Sequence, residues 1–231
     1  MNKPYVVCHM ASTIDGRIIA ENWGNKRQQF SSIYEECHQS FNSQAWMVGR
    51  ITMEQNFTEG LQPQPEEPRK SIERNAFVAD KNASTFAIAV DPKGKLGWNR
   101  SEIDGDHIVE ILTELVSDAY LQYLRDKGIS YLFGGKDRID FEAILQQLYT
   151  LFHIKTLMLE GGGHINGSLL NEGLINEISL LVLPLADGSP KTATTFEIGD
   201  QRKKNTPMEL KLKDVQRLND DVVWLKYIRN K

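Results

Sequence analysis

The chain has 231 residues, with 27 Lys plus Arg against 31 Asp plus Glu and a formal net charge of −4. That mild acidity lacks the electrostatic footprint of a nucleic-acid or anionic-membrane binder, and neither partner is expected. A hydrophobic share of 40% with 25% charged residues excludes global disorder, and two cysteines, Cys8 and Cys37, exclude a disulfide framework.

Residues 5–10 read as a buried strand running into the polar turn Ser12-Thr13-Ile14-Asp15-Gly16. Residues 30–41 place Ile33, Tyr34, Cys37 and Phe41 at helical spacing, with Ser31 or Ser32 as N-cap and Glu35 closing a capping box on Ser32. Residues 45–48 form a short strand stopped by Gly49, and a second short helix starts near Thr52. Pro63, Pro65 and Pro68 make residues 60–70 a surface loop. Residues 85–90 are an apolar strand ended by the turn Asp91-Pro92-Lys93-Gly94. A helix at 118–127 stops at Gly128, a strand follows at 129–133, and Asp140 caps a helix that runs to about Leu151. Residues 155–160 are a strand, three glycines follow, and 165–171 form a helix. After a strand at 178–183, residues 208–218 and 222–228 flank Asn219-Asp220-Asp221 as a terminal hairpin. Strands alternating with helices predict one α/β domain over residues 1–231, built on a mostly parallel sheet and closed by an antiparallel hairpin. The longest nearly apolar run, 178–185, is well short of the roughly 20 residues of a membrane span. No secretory pattern opens the chain, so a cytoplasmic protein with reduced thiols is expected.

The strongest chemical signal is the passage from an apolar strand through Glu160-Gly161-Gly162-Gly163 into a helix. Glycines let a ligand approach the backbone, and a helix N-terminus offers unpaired N–H groups and partial positive charge, which together suit a phosphate or pyrophosphate. A tight strand-to-helix turn also uses glycine, but needs fewer of them. The spacing, Gly161, Gly163 and Gly167, departs from the Rossmann fingerprint because Asn166 occupies the third glycine position. A second strand meets Gly49-Arg50-Ile51-Thr52, where Arg50 and Thr52 could hold phosphate or be an ordinary charge and cap. A third polar cluster, Ser12 to Arg17, follows the first strand, at the strand ends where open α/β sheets place ligands. No Walker A, H-E-x-x-H or C-x-x-C motif is present, so no metal site is expected from local motifs. Cys37 and His38 are adjacent and point about 100° apart on a helix, so they read as structural rather than as a nucleophile pair. His153 and His164 read as surface or capping histidines, and Arg202-Lys203-Lys204 as a solvated loop.

In order and spacing, these segments resemble the riboflavin-biosynthesis pyrimidine reductase (RibD C-terminal domain) family, part of the dihydrofolate reductase-like superfamily. The resemblance covers nearly the whole chain. It rests on Ser12 to Arg17, Val48 to Thr52, Asp91 to Gly94, Leu159 to Leu170 and Gly173-Leu174-Ile175-Asn176-Glu177-Ile178. It implies a dihydrofolate reductase-like fold, NADPH as hydride donor, and a small heterocyclic substrate, a ribosylaminopyrimidine phosphate reduced at C1′. It also implies Gly161, Gly162, Gly163, His164, Ile165, Asn166 and Ser168 around the pyrophosphate and nicotinamide side of the cofactor. Gly49 and Thr52 would hold a second phosphate contact, Arg50 would face the 2′-phosphate, and Ser12 and Thr13 the nicotinamide end. Asp15 and Glu160 would be the catalytic carboxylates, and family habit implies a homodimer. Two departures stand out: Asn56 where the family often has Asp, and no clean D-D-P-x-L-T-x-R segment between Gln62 and Arg69. They keep two alternatives open: an NADPH-dependent reductase of a pterin- or folate-like or xenobiotic substrate, and a non-catalytic NADPH-binding protein.

Overall fold

A computed structural model describes residues 2–66, 70–199 and 207–230. Arg69 and the basic run 202–204 lie outside the described residues. In chain order the elements are β1 (Tyr5–Thr13), α1 (Arg27–Gln39), β2 (Ala45–Gly49), α2 (Arg50–Asn56), β3 (Phe86–Val90), β4 (Glu102–Ile103) and β5 (Asp106–Leu112). They continue as α3 (Asp118–Asp126), β6 (Ser130–Phe133), α4 (Phe141–Phe152), β7 (Thr156–Leu159), α5 (Gly163–Glu172), β8 (Glu177–Leu183), β9 (Leu210–Arg217) and β10 (Val223–Arg229). They gather into two compact units that interleave along the chain. One is Gln44–Leu157 with Met1–Pro4, the other Tyr5–Ser43 with Met158–Lys231.

In the first unit β2, β3, β5 and β6 pair in parallel, with Met47 opposite Ile88, Ile88 opposite Val109 and Val109 opposite Ser130. All five residues of β3 are buried, which is why that strand reads as a continuous apolar run. Met53, Leu96, Trp98, Leu121 and Tyr131 pack with it, each fully buried Leu or Ile contributing roughly 1.5–3 kcal/mol. β5, with the short β4 before it, is what sequence patterning did not resolve. His107 and Glu110 interrupt its apolar run, yet both are buried. The fold accommodates them with specific partners: His107 Nε2 meets the Ser130 hydroxyl at 2.7 Å, and Trp98 Nε1 donates to Glu110. Asp104 and Gly105, both at positive φ, turn β4 back onto β5, so an Asp-Gly hairpin signal was available there. Asp140 caps α4 through the Ala143 N–H as predicted, and Ser117 caps α3.

In the second unit β1 pairs in parallel with β8, from Val7 opposite Glu177 to Thr13 opposite Leu183. β8 and β9 flank β10, both antiparallel to it, which makes the terminal hairpin. Phe30, Ile33 and Cys37 on one face of α1 pack with Trp23, Leu181, Leu183 and Trp224.

Three helix starts differ from expectation. α1 begins at Arg27, because a 3₁₀ segment, Ala20–Lys26, leads straight into it. Ser31 and Ser32 are therefore inside the helix, and their hydroxyls donate back to the carbonyls of Arg27 and Gln28 rather than capping. α2 starts at Arg50 with Gly49 as N-cap, so Thr52 is in the first turn and not at the cap. α5 starts at Gly163, two residues early. Among the described residues no helix is long and apolar enough to cross a membrane.

Candidate active site

In the second unit, β1 delivers Ser12 and Thr13, both buried, to the turn that follows it. The Thr13 hydroxyl donates to Asp15 Oδ1 at 2.6 Å and accepts from the Arg17 N–H at 3.0 Å. Asp15 also accepts from the amides of Asp187 at 3.1 Å and Gly188 at 2.8 Å. These donors, the Thr13 hydroxyl first, hold the Asp15 carboxyl far below the usual carboxylate range. At neutral pH Asp15 is thus an anion and an acceptor, and it fastens the turn to the 187–188 segment.

The strand-to-helix passage is next in this unit. Gly161 takes φ +105°, a backbone conformation open to glycine, and its peptide bond to Gly162 is cis. Gly162 is the N-cap of α5, and its carbonyl accepts from the N–H groups of Ile165 and Asn166. The first turn of α5 contains no acidic residue to repel an anion, and the N–H groups of Gly163 and His164 precede its first intrahelical bond. Gly163 and Gly167 have a different purpose. A Cβ on Gly163 would lie 2.3 Å from the Thr194 carbonyl oxygen, and one on Gly167 2.2 Å from that of Glu197. Their spacing of four residues presents one bare helix face to the 194–197 segment. The departure from the Rossmann spacing therefore has a packing cause. Asn166 is fully buried and donates to the Thr195 carbonyl at 3.0 Å, Ile165 is buried, and Ser168 donates to the His164 carbonyl. His164 is 82% exposed and its Nε2 approaches Glu197 at 3.3 Å.

Glu160, the residue before the glycines, has a partner that sequence reasoning missed. His38, in the last turn of α1, meets Glu160 Oε1 through Nδ1 at 2.6 Å, with side-chain exposures of 19% and 12%. Helical spacing signalled only that His38 and Cys37 diverge. The separation of 122 residues between His38 and Glu160 left no local trace of the pair. Behind it, His9 stacks on Tyr34 at 4.2 Å and bonds the Ser179 hydroxyl at 2.9 Å, and burial pushes its imidazole toward the neutral form.

In the first unit, Arg50 opens α2 and pairs through Nη1 with Glu54, one helical turn on, both side chains about 30% exposed. Thr52 is half-buried in the same turn, and its carbonyl accepts from Asn56 Nδ2 at 3.0 Å. Asp91 follows β3 and, fully buried, accepts from the amides of Lys95 and Leu96, stabilising the turn that precedes Gly94.

The model of the RibD C-terminal domain matches residues 4–224. A 2,5-diamino-6-ribosylamino-4(3H)-pyrimidinone 5′-phosphate reductase of Aquifex aeolicus is 22% identical over 92% of this chain and 91% of its own. The enzyme of the same name from Methanothermobacter thermautotrophicus is 23% identical over 96% of each. A pyrimidine reductase-like protein of Corynebacterium diphtheriae shares the fold, with a TM-score of 0.69 at 14% identity over 99% of this chain and 92% of its own.

Proposed function

The chain belongs to the RibD C-terminal domain family, and from that premise we propose that it is an NADPH-dependent reductase of riboflavin biosynthesis. Its substrate is a ribosylaminopyrimidine 5′-phosphate, the diaminopyrimidinone named for its relatives first and the uracil counterpart second. The reading is carried by the passage from Glu160 through Gly161 and Gly162 into α5, where a carboxylate adjoins an anion-receptive helix start.

This passage fits the cofactor. Gly162 supplies no side chain to the cap, the first turn is free of acids, and the Glu197 carboxylate is engaged by His164 and the Thr194 amide. We assign the Gly161–Ser168 stretch to the pyrophosphate and nicotinamide side, with Gly161, Gly162 and the first-turn amides as contacts. Ser12 and Thr13 take the nicotinamide end. Gly49 and Thr52 take phosphate, and Arg50 the 2′-phosphate. The cofactor supplies a hydride, while the chain's own residues orient the reactants and stabilise charge. Asp15, held as an anion, positions the turn and accepts hydrogen bonds from substrate, and Glu160 is the second catalytic carboxylate. A cytoplasmic enzyme with free Cys8 and Cys37 suits this chemistry. A homodimer is part of the reading too, supported by the exposed Leu212 and Val215 of β9.

The test is a thermal-shift titration with NADPH and NADH in parallel, followed by NADPH oxidation across both ribosylaminopyrimidine phosphates and a pterin. At about 100 times its dissociation constant a ligand stabilises by about 2.7 kcal/mol, a readily measured shift. We expect NADPH to stabilise more than NADH, and turnover with a ribosylaminopyrimidine phosphate. Stabilisation without turnover of any substrate would reduce the protein to a cofactor binder.

A further inference from the structure

Reducing a C=N bond consumes a hydride and a proton. The hydride adds to C1′, the π pair moves onto nitrogen, and nitrogen takes the proton. Asp15 cannot supply that proton, since its carboxylate accepts from the Thr13 hydroxyl and two amides and stays ionised. An isolated carboxyl beside the glycines would have lost its proton by neutral pH as well. Glu160 is not isolated. Its Oε1 lies 2.6 Å from Nδ1 of His38, an imidazole that can carry a proton to it. Both side chains keep some exposure, whereas His9 is fully buried. Solvent can therefore reload this pair.

We propose that His38 and Glu160 together hold the proton that the reduction consumes: Glu160 hands it to the substrate nitrogen, and His38 is the positioning residue that aims Glu160 and reloads it. The proposal rests on the reductase reading above. Donation leaves a neutral imidazole beside a carboxylate, and one proton from water restores the pair. The titratable groups packed around it are Cys8 and His9 on β1 and Tyr34 on α1. Burial keeps Cys8 and Tyr34 protonated and His9 neutral near neutrality, so none of them supplies the proton.

Two measurements on the full chain test it. The first is NMR of the imidazole nitrogens without cofactor or substrate. Nδ1 of His38 should carry a proton, and replacing its partner in Glu160→Gln should lower the pH at which His38 titrates by about one unit or more. An unmoved titration overturns the pair. The second uses His38→Asn, whose amide can donate from the place of Nδ1 but does not titrate. NADPH affinity, read by thermal shift, should stay at the wild-type value, while kcat falls about 10²-fold at neutral pH with little change in KM. The alkaline fall of kcat/KM should move to lower pH, toward the ordinary range of a lone carboxyl. His38→Gln, with its own melting midpoint, separates a folding defect from a lost proton. A wild-type pH profile in a folded His38→Asn protein overturns the proposal. Absence of turnover by the wild type at every pH overturns the reductase reading instead, and the imidazole titration, which needs no substrate, still decides whether the pair couples.

Discussion

Arg50 and Asp15 both carry charges that the motifs point toward a ligand, and the protein has already engaged both. Arg50 is held by Glu54 along α2, a partly exposed i, i+4 pair of modest worth that a phosphate can outcompete. Arg50→Ala should weaken NADPH about tenfold, the order of one charge-assisted bond, and leave NADH nearly unchanged in parallel titrations. Equal losses for the two cofactors would remove Arg50 from the 2′-phosphate. Asp15 is engaged more firmly, by a hydroxyl and two amides of the 187–188 segment. Turn chemistry made Asp15-Gly16 legible as a turn. The amides that hold its carboxylate ionised come from more than 170 residues away, so its charge state was not legible locally.

Among the elements, α5 shows how one motif can serve two purposes. Gly161 takes a positive φ and Gly162 is the N-cap, while the bare Gly163 and Gly167 let the 194–197 backbone lie close against the helix. Gly167→Ala would gain about 1 kcal/mol of helix propensity, but its Cβ would meet a backbone oxygen at 2.2 Å, and overpacking of this kind costs about 1–3 kcal/mol. The melting midpoint should fall. A midpoint that rises would mean that the segment does not pack there. The run of apolar residues and the glycines made β7 and α5 visible in sequence, whereas β5 was hidden because His107 and Glu110 stand where apolar residues would be. α1 was placed three residues late because its serines resemble caps, and nothing local reveals that the chain is already helical when it reaches them.

For the whole molecule, the clearest pH signature comes from a buried acid rather than from the candidate active site. Glu110 is fully buried. Desolvation, with the Asp91 carboxylate adding to it, pushes its carboxyl well above the ordinary value. Proton counting agrees: the Tyr120 hydroxyl has one proton, with the Leu96 carbonyl at 2.9 Å and Glu110 at 2.9–3.0 Å. A neutral Glu110 donates to Tyr120, which donates to Leu96. The folded state thus keeps a proton that the unfolded chain releases above the ordinary carboxylate range. The stability it contributes is complete below that range and is lost as pH rises toward the folded value, by up to about 1.4 kcal/mol per pH unit. Asp15, Asp118, Asp187 and Asp214 are lowered by hydrogen bonds and act in the opposite sense, their contribution being lost as pH falls into acid. His9 and His107, whose imidazoles burial pushes toward the neutral form, act in the opposite sense over the same range, so the signature is a difference: relative to the wild type, Glu110→Gln, which mimics the neutral acid, should gain in melting midpoint as pH rises from about 5 to 8. A slope unchanged by Glu110→Gln would assign the proton elsewhere. Most element types, the closing hairpin, the glycine run and the family were readable from the order of residues, because periodicity, turn chemistry and motif spacing act over a few residues. The buried polar partners, the packing purpose of Gly163 and Gly167, and the meeting of His38 with Glu160 join residues far apart in the chain. Those contacts exist only after β-strand pairing has brought distant segments together, so tertiary structure alone decides them.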